Sequence, residues 1–259
     1  MSAVTMPTTA HSRREVAVPL TRLISVEARK QLDTRAGRWL LITIGVVTAI
    51  VLVVLLFVNG GKHSFRELLL ATVTPQALLL PIVGILAVTS EWSQRAALVT
   101  FTLEPRRGRV AAAKTISALL VGVIALAAAV ALAALAHLGS IALRGAEAGW
   151  GVPTPVLAGF ALMLLLGVAQ GVGFGMLLLN TPAAIVSYLV LPTVWSVLGG
   201  MVASLKTAAG WLDLTTTMQP LLEGSMTGNQ WLRLGTATAL WVLLPLAAGL
   251  WRITRSEVK

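Results

Sequence analysis

The stretch WLLITIGVVTAIVLVVLLFV, residues 39 to 58, has no charged side chain in 20 consecutive positions. A bilayer core of about 30 Å is crossed by roughly 20 helical residues, so this stretch predicts a transmembrane helix. Five more apolar runs follow it, namely Leu68 to Ser90, Thr115 to Leu138, Thr154 to Leu179, Ala183 to Leu205 and Leu234 to Trp251. We therefore predict an all-α polytopic membrane protein with six transmembrane helices.

The composition of the chain agrees with a membrane protein. Of its 259 residues, 56% are hydrophobic and 12% are charged, whereas soluble domains carry about 25% charged residues. The net charge is +10, but the basic residues lie between apolar runs and not on one polar face, so we expect no nucleic-acid partner. The chain has no cysteine, which excludes disulfides and thiolate metal sites.

The basic residues also predict the topology. Six spans place both termini on one side, where the connecting segments carry 15 Lys and Arg residues against 5 on the other side. By the positive-inside rule the side with 15 is cytoplasmic. We expect a multi-pass protein of a bacterial plasma membrane, with a cytoplasmic segment over 1–38, one six-helix membrane domain over 39–252 and a cytoplasmic tail over 253–259. A cleaved signal peptide is not expected, because the first apolar run follows a polar segment with seven basic residues.

The end of the N-terminal segment has the pattern of an amphipathic helix. Its apolar residues recur at four-residue steps, at Leu20, Ile24, Ala28 and Leu32. Basic side chains at the other positions can reach lipid headgroups, namely Arg22, Arg29, Lys30 and Arg35. We predict a helix on the cytoplasmic membrane surface, with a solvated basic tail as the alternative.

A charged segment, EWSQRAALVTFTLEPRRGRVAAAK (91–114), separates the second and third predicted spans. Trp92, Ala96, Val99 and Leu103 recur with a helical period, which predicts a short helix with one apolar face. Glu91 and Arg95 are spaced to form an ion pair along it. Pro105 ends the helix, and a basic corner follows with Arg106, Arg107, Arg109 and Lys114. Such a helix is either a membrane anchor or a docking element for a cytoplasmic partner.

The order SEWSQRAALVTFTLEPRRGRVAAAK closely resembles the corresponding loop of ABC transporter type-2 permeases, the membrane subunits of ATP-driven exporters. Six spans, cytoplasmic termini, an amphipathic N-terminal helix and an apolar segment before the last span are similar as well. The resemblance covers nearly the whole chain by topology but only about 25 residues by motif. The chain departs from it at Arg95 and Ala96, where many members have Gly-Thr.

This resemblance implies that residues 91–103 form a coupling helix that touches a separate ATPase subunit. The residues implied in this contact are Glu91, Trp92, Arg95, Val99, Leu103, Pro105, Arg106 and Arg107. It also implies a second permease copy, two ATPase copies that bind ATP and Mg, and a re-entrant extracytoplasmic element over 206–233. The chain itself has no G-x-x-x-x-G-K-[ST] motif, so a P-loop for ATP would belong to a partner.

The sequence shows no constellation for catalysis or for a cofactor. His11, His63 and His137 lack the spacing of metal ligands, and no G-x-S-x-G occurs. Every Lys, Arg, Asp and Glu lies outside the six predicted spans, which leaves no ionisable site for an ion-coupled carrier. We therefore expect no enzyme activity, no metal and no cofactor in this chain.

Few polar side chains lie inside the predicted spans. In the related permeases spans two and five line the path between two copies, which makes Gln76, Gln170 and Tyr188 candidates for a cargo pathway. Gln170 lies beside a G-x-x-x-G-x-x-x-G pattern made by Gly167, Gly171 and Gly175, which permits close helix approach. This face serves either helix packing within the chain or a seam with a cavity or a second copy. Pro75, Pro81 and Pro192 can kink their helices.

The resulting hypothesis is a permease subunit that exports a hydrophobic or amphiphilic cargo, such as a drug, a lipid or a peptide. The alternative is a non-transporting membrane scaffold or sensor whose basic cytoplasmic face binds anionic lipid or a regulator. An intramembrane enzyme is the third possibility and lacks the residues it would need.

Overall fold

A computed structural model describes residues 18–94, 98, 100, 102 and 104–255 of the chain. Within these residues the regular structure is entirely helical. Six helices are long and apolar enough to cross a membrane, namely Arg35–Leu55, Phe65–Ser93, Arg107–Arg144, Thr154–Leu178, Thr181–Met201 and Gly228–Arg255. The prediction of an all-α chain with six such helices is confirmed.

The described helices are labelled in chain order. They are α1 (Leu20–Asp33), α2 (Arg35–Leu55), α3 (Phe65–Ala71), α4 (Val73–Ser93), α5 (Arg107–Arg144), α6 (Thr154–Leu178), α7 (Thr181–Met201), α8 (Lys206–Leu212), α9 (Leu214–Glu223), α10 (Gly228–Thr238) and α11 (Leu244–Arg255). Helices α3 and α4 together form the second span, and α10 and α11 form the sixth, joined by a π-helical turn over Ala239–Leu243.

Local capping signals set several helix ends outside the predicted bounds. The sixth span begins at Gly228, before the predicted Leu234, because Thr227 and Gln230 form a capping box. Helix α5 has 38 residues and ends where Gly145 adopts the left-handed conformation, with φ of 64°. At 1.5 Å per residue it is about 57 Å long, well beyond the thickness of a bilayer core.

Helix α6 lies at the centre of the bundle, against α4 on one side and α11 on another. A Cβ atom added to Gly171 would overlap the carbonyl group of Pro81 in α4, and one added to Gly84 would overlap the carbonyl oxygen of Val168. Gly167 and Gly175 also face α4. The glycine pattern of α6 therefore packs against a helix of the same chain, the first of the two roles considered for it.

A hairpin of two short helices, α8 and α9, enters the bundle before the sixth span. Near the C-terminal end of α9, the carbonyl group of Leu221 lies against Gly159, close to the start of α6. At its inner end Leu214 lines the same cavity as Gly167. Helix α9 therefore packs along α6 between the start of α6 and the central part of that helix.

Candidate functional site

Four charged side chains form a closed ring at the end of the bundle where α1 lies. Lys30 Nζ is 2.7 Å from both Glu27 Oε1 and Glu91 Oε1. Lys114 Nζ is 2.7 Å from Glu27 Oε2 and 3.2 Å from Glu91 Oε2. Each ammonium group thus contacts both carboxylates, and the ring joins α1, α4 and α5. We refer to these four residues as the charge ring.

Three of the four side chains of the charge ring are buried, so their pairing is needed for the stability of the fold. Glu27, Glu91 and Lys114 are only 5%, 8% and 4% exposed, and buried charges are tolerated when they are paired and hydrogen-bonded. Burial by itself lowers the pKa of Lys30, but its hydrogen bonds to Glu27 and Glu91 outweigh that effect and raise the pKa above the ordinary lysine value. Lys30 is therefore held in its charged form near neutral pH.

The ring shows that the polar face of α1 packs on the bundle. The buried residues of α1 are Glu27 and Gln31, and Gln31 Nε2 donates a hydrogen bond to Ser117 Oγ at 2.6 Å. On the predicted apolar face, Leu20 and Leu32 are exposed, whereas Ile24 and Ala28 are half-buried. Lys30, for which the sequence predicts contact with lipid headgroups, binds two carboxylates instead. The polar face of α1 packs on the bundle because α4 and α5 offer it charged partners.

Glu91 also lies in an environment different from the predicted one. The sequence predicts that it begins a surface helix, but α4 continues through Ser93, which leaves Glu91 buried near the end of a span helix. Thr100 Oγ1 donates a hydrogen bond to its Oε1 at 3.1 Å. This carboxylate therefore lies inside the helix bundle and not at the exposed start of a surface helix.

The remaining residues of the expected coupling helix are placed only in part. Arg95, Val99 and Leu103 lie outside the described residues, so the proposed pairing of Glu91 with Arg95 does too. Trp92 is half-buried and belongs to α4. Leu98, Thr100 and Thr102 have helical backbone, and Leu98 is exposed.

The basic corner after this segment ties helix ends together. Pro105 and Arg106 are exposed, as a docking surface would require. Arg107, in contrast, donates a hydrogen bond to the carbonyl oxygen of Ile253 in α11 at 3.0 Å. Arg109 donates to the carbonyl oxygen of Val18 at 2.6 Å and to Glu104 at 3.3 Å. The corner therefore fixes the start of α5 to α11 and to Val18, two positions before α1.

A cavity of about 410 Å³, open on one side, lies between α4, α6, α7 and α9. We call it the central cavity. Its lining includes Gln76 from α4, Gln170 from α6 and Tyr188 from α7, the three residues proposed from the sequence for a cargo pathway. The structure thus brings these three together, and none of the described residues that line the cavity is charged.

Pro81 and Gln76 each leave a polar atom in the cavity wall without its usual partner within the helix or side chain. Pro81 has no N–H group, so the carbonyl oxygen of Ala77 lacks its normal helical partner. The Tyr188 hydroxyl donates to that oxygen at 2.9 Å. Gln76 is 2% exposed, and its Oε1 has no partner among the described residues. An unpaired buried amide is costly, and a polar group of a ligand in the cavity would satisfy it.

Helix α4 connects the central cavity to the charge ring. Gln76 and Glu91 lie on this helix 15 positions apart, which corresponds to about 22 Å. Sequence reasoning missed the ring because Lys30 and Lys114 are far from Glu91 in the chain. The visible signal was an acid at the end of one span and a lysine at the start of the next.

No protein-family model matches this chain. A search of the curated proteins also finds no match. The resemblance to type-2 permeases therefore rests on the sequence of residues 90–114 and on the six-span pattern. Among the described residues, no group of three His, Asp or Glu side chains is arranged to hold a metal ion.

Proposed function

We propose that this chain is the membrane-spanning permease subunit of an ATP-driven exporter, with ATP hydrolysis in a separate subunit. The observation that carries the proposal is the continuity of α4, which lines the central cavity at Gln76 and ends in the charge ring at Glu91. A push on the segment that follows α4 would move one wall of the cavity. This arrangement suits a protein in which force at one membrane surface changes access to a cavity within the bilayer.

The ATPase would dock on the segment over 91–114. The end of the bundle with the charge ring would then face the cytoplasm, with both termini on that side of a bacterial plasma membrane. Leu98, Pro105 and Arg106 are exposed there and available for contact. The buried Glu91 acts within the permease, because it transmits motion from this surface to α4 and α5. ATP and Mg would be bound by two copies of the partner.

The walls of the central cavity support a hydrophobic or amphiphilic cargo. Its volume of about 410 Å³ lies within the roughly 300–1,000 Å³ typical of small-molecule sites. Apolar side chains dominate the lining, and two carboxamides, one phenol and the hydroxyl groups of three threonines supply its polar groups. An uncharged wall favours an apolar body with a few hydrogen-bonding groups over a small ion.

A second permease copy would close the open side of the cavity. Helix α7 lines the cavity with Tyr188 and Pro192, yet among its residues only Ala184 and Gly199 are buried. Many of its apolar side chains are exposed along the length of the helix, namely Val186, Val190, Leu191, Val194, Val197, Leu198 and Met201. A homodimer, or a pair with a close relative, that packs along α7 would place two such cavities at its interface.

The test is purification from native membrane under mild detergent, with mass spectrometry for P-loop proteins and a mass estimate of the particle. We expect a stoichiometric ATPase and two permeases per particle. Charge reversal at the exposed Arg106 (Arg106→Glu) should release the ATPase, whereas Glu147→Lys, an exposed reversal after α5 at the other end of the bundle, should not. A particle without any ATPase would favour the scaffold or sensor alternative.

A further inference from the structure

A second cavity, of about 260 Å³, lies between α8, α9 and α10, at the end of the bundle away from the charge ring. We call it the hairpin cavity. Its lining is polar and includes Thr216, Gln219, Glu223, Gln230 and Arg233. It shares no lining residue with the central cavity, and neither the proposed export cycle nor the charge ring uses it.

Arg233 is the cation of this cavity. Its Cζ atom lies 5.4 Å from the centre of the Trp211 ring, which holds the guanidinium group in place. Its Nε is buried and has no hydrogen-bond partner, and no carboxylate pairs with it among the described residues. An arginine in the first turns of a span helix normally has a counter-charge or an anionic headgroup as its partner.

Glu223 is the anion of the same cavity. It occupies the last position of α9, is exposed, and pairs with no cation among the residues that the structure describes. The cavity therefore presents one positive and one negative group that do not neutralise each other. An occupant with a single anionic charge would meet repulsion from Glu223, and one with a single cationic charge would meet repulsion from Arg233.

An apolar groove of about 320 Å³ lies on a neighbouring face of α9, lined by Leu162, Leu221, Met226 and Trp231. The groove and the hairpin cavity come close to each other at the end of α9, where Glu223 lines the cavity and the next residue, Gly224, lines the groove. Tryptophans such as Trp211 and Trp231 are enriched at the headgroup level of membranes. A polar head site beside an apolar groove, at this level, matches a lipid and not a soluble metabolite.

We propose that the hairpin cavity binds the headgroup of a phospholipid that carries a primary amine, with an acyl chain in the adjacent groove. The phosphodiester accepts hydrogen bonds from the guanidinium group of Arg233, and the ammonium group donates to the carboxylate of Glu223. Gln219 and Gln230 line the same cavity, and Gln230 Oε1 accepts a hydrogen bond from the backbone N–H of Thr227. This binding does not depend on ATP-driven export, and its test measures lipid retention alone.

The experiment incorporates the purified full-length chain into nanodiscs with equal amounts of phosphatidylethanolamine, phosphatidylglycerol and phosphatidylcholine of identical acyl chains. Native mass spectrometry then counts the lipids that stay bound. We expect wild type to retain phosphatidylethanolamine preferentially. Arg233→Ala should lower retention of all three lipids about tenfold, the effect of losing one charge-assisted hydrogen bond.

Glu223→Gln provides the decisive variant, because an exposed side chain can be changed without loss of the fold. It should keep phospholipid bound but remove the preference for phosphatidylethanolamine over phosphatidylglycerol. Arg144→Ala is the matched control, since its guanidinium group lies 4.9 Å from the Phe57 ring but lines neither the cavity nor the groove. An unchanged lipid ratio in Glu223→Gln would overturn the proposal.

A competition arm identifies the source of the headgroup. Soluble glycerophosphoethanolamine, added at the concentration of the lipid, should leave the bound phosphatidylethanolamine in place, because the acyl groove contributes to binding. Full displacement by the soluble compound would overturn the lipid assignment and give the cavity to a free phospho-amine.

Discussion

Lys114 Nζ lies 2.7 Å from Glu27 Oε2, although 87 positions separate the two residues in the chain. The contact joins the helix that precedes the first span to the beginning of the third. Glu91 and Lys30 complete the ring, so three helix ends share one set of balanced charges. Loss of one member leaves a buried charge without its full complement of partners.

The first prediction concerns this pair. Glu27→Gln or Lys114→Met alone should destabilise the protein by about 3–5 kcal/mol, because an uncompensated charge stays buried. The double variant should cost less than the sum of the two. The measurement is the fraction that remains monodisperse in detergent after heating.

An exposed ion pair supplies the control for these variants. Arg38 and Asp33 lie 3.9 Å apart, with side chains 62% and 76% exposed. Asp33→Asn should change stability by no more than about 0.5 kcal/mol. Equal losses for Asp33→Asn and Glu27→Gln would show that the charge ring adds nothing beyond surface electrostatics.

The second prediction follows from the raised pKa of Lys30. A group with a raised pKa in the folded state stabilises the fold fully below its ordinary value of 10.5 and loses that contribution as the pH rises through the folded pKa. The stability difference between wild type and Lys30→Met should therefore be constant from about pH 7 to 9 and shrink only above about pH 10.5. A marked decline of this difference near neutral pH would contradict the assignment.

The third prediction tests the contact between α4 and α6. Gly171→Ala would press a methyl group into the carbonyl of Pro81 and should cost at least about 3 kcal/mol, at the upper end of overpacking effects. Gly45→Ala in α2 has open space around the new Cβ, so it should be neutral or stabilise the helix by up to about 1 kcal/mol. Thermal stability in detergent compares the two, and equal behaviour would contradict the close packing.

The fourth prediction concerns the hydroxyl group of Tyr188. Tyr188→Phe leaves the Ala77 carbonyl without a donor, and this should cost about 1–3 kcal/mol. Thr193→Val, on the same wall, removes a hydroxyl that bonds only to Leu189 of its own helix and should cost less. Equal melting temperatures for the two variants would show that the Ala77 carbonyl oxygen does not depend on the Tyr188 hydroxyl as its donor.

The fifth prediction separates stability from function at Gln76. Gln76→Leu replaces an unpaired buried amide by an apolar group of similar volume, so stability should be unchanged or raised. Under the proposed function, cargo-stimulated ATPase activity of the reconstituted complex should fall, because the cargo loses a polar contact. Unchanged stimulation would remove Gln76 from the cargo site.

The features that follow from local sequence were predictable. Uncharged runs such as residues 39–58 are long enough to identify spans. Hydropathy alone placed the start of the sixth span too late, although Thr227 followed by Gln230 is a capping-box pattern that signals its true start. Gln76, Gln170 and Tyr188 were linked only through a resemblance, yet they line one cavity. Burial is costly for such polar side chains, so their presence in apolar runs was informative.

Local sequence patterns could not predict the charge ring or the buried contacts of α1. Sequence patterns report neighbours three or four positions apart, whereas Glu27 meets Lys114 across 87 positions. The apolar stripe of α1 also gave no sign of the partners that its polar face contacts. In a soluble protein such a stripe faces the core, but at a membrane surface lipid can cover it and leave the polar face to the protein.

The π-helical turn over Ala239–Leu243 has a consequence for how the sixth span tolerates changes of length. Its wider turn holds one residue more than an α-helical turn, which sets α10 and α11 out of phase by about 100°. Deletion of one residue there would restore a regular helix and swing Arg233 away from Trp211, while α11 kept Gly249 against α6. A single-residue deletion at this turn would therefore rotate α10 relative to α11 and leave a continuous α-helix, whereas a deletion within a regular α-helical part of the span would break its helical register.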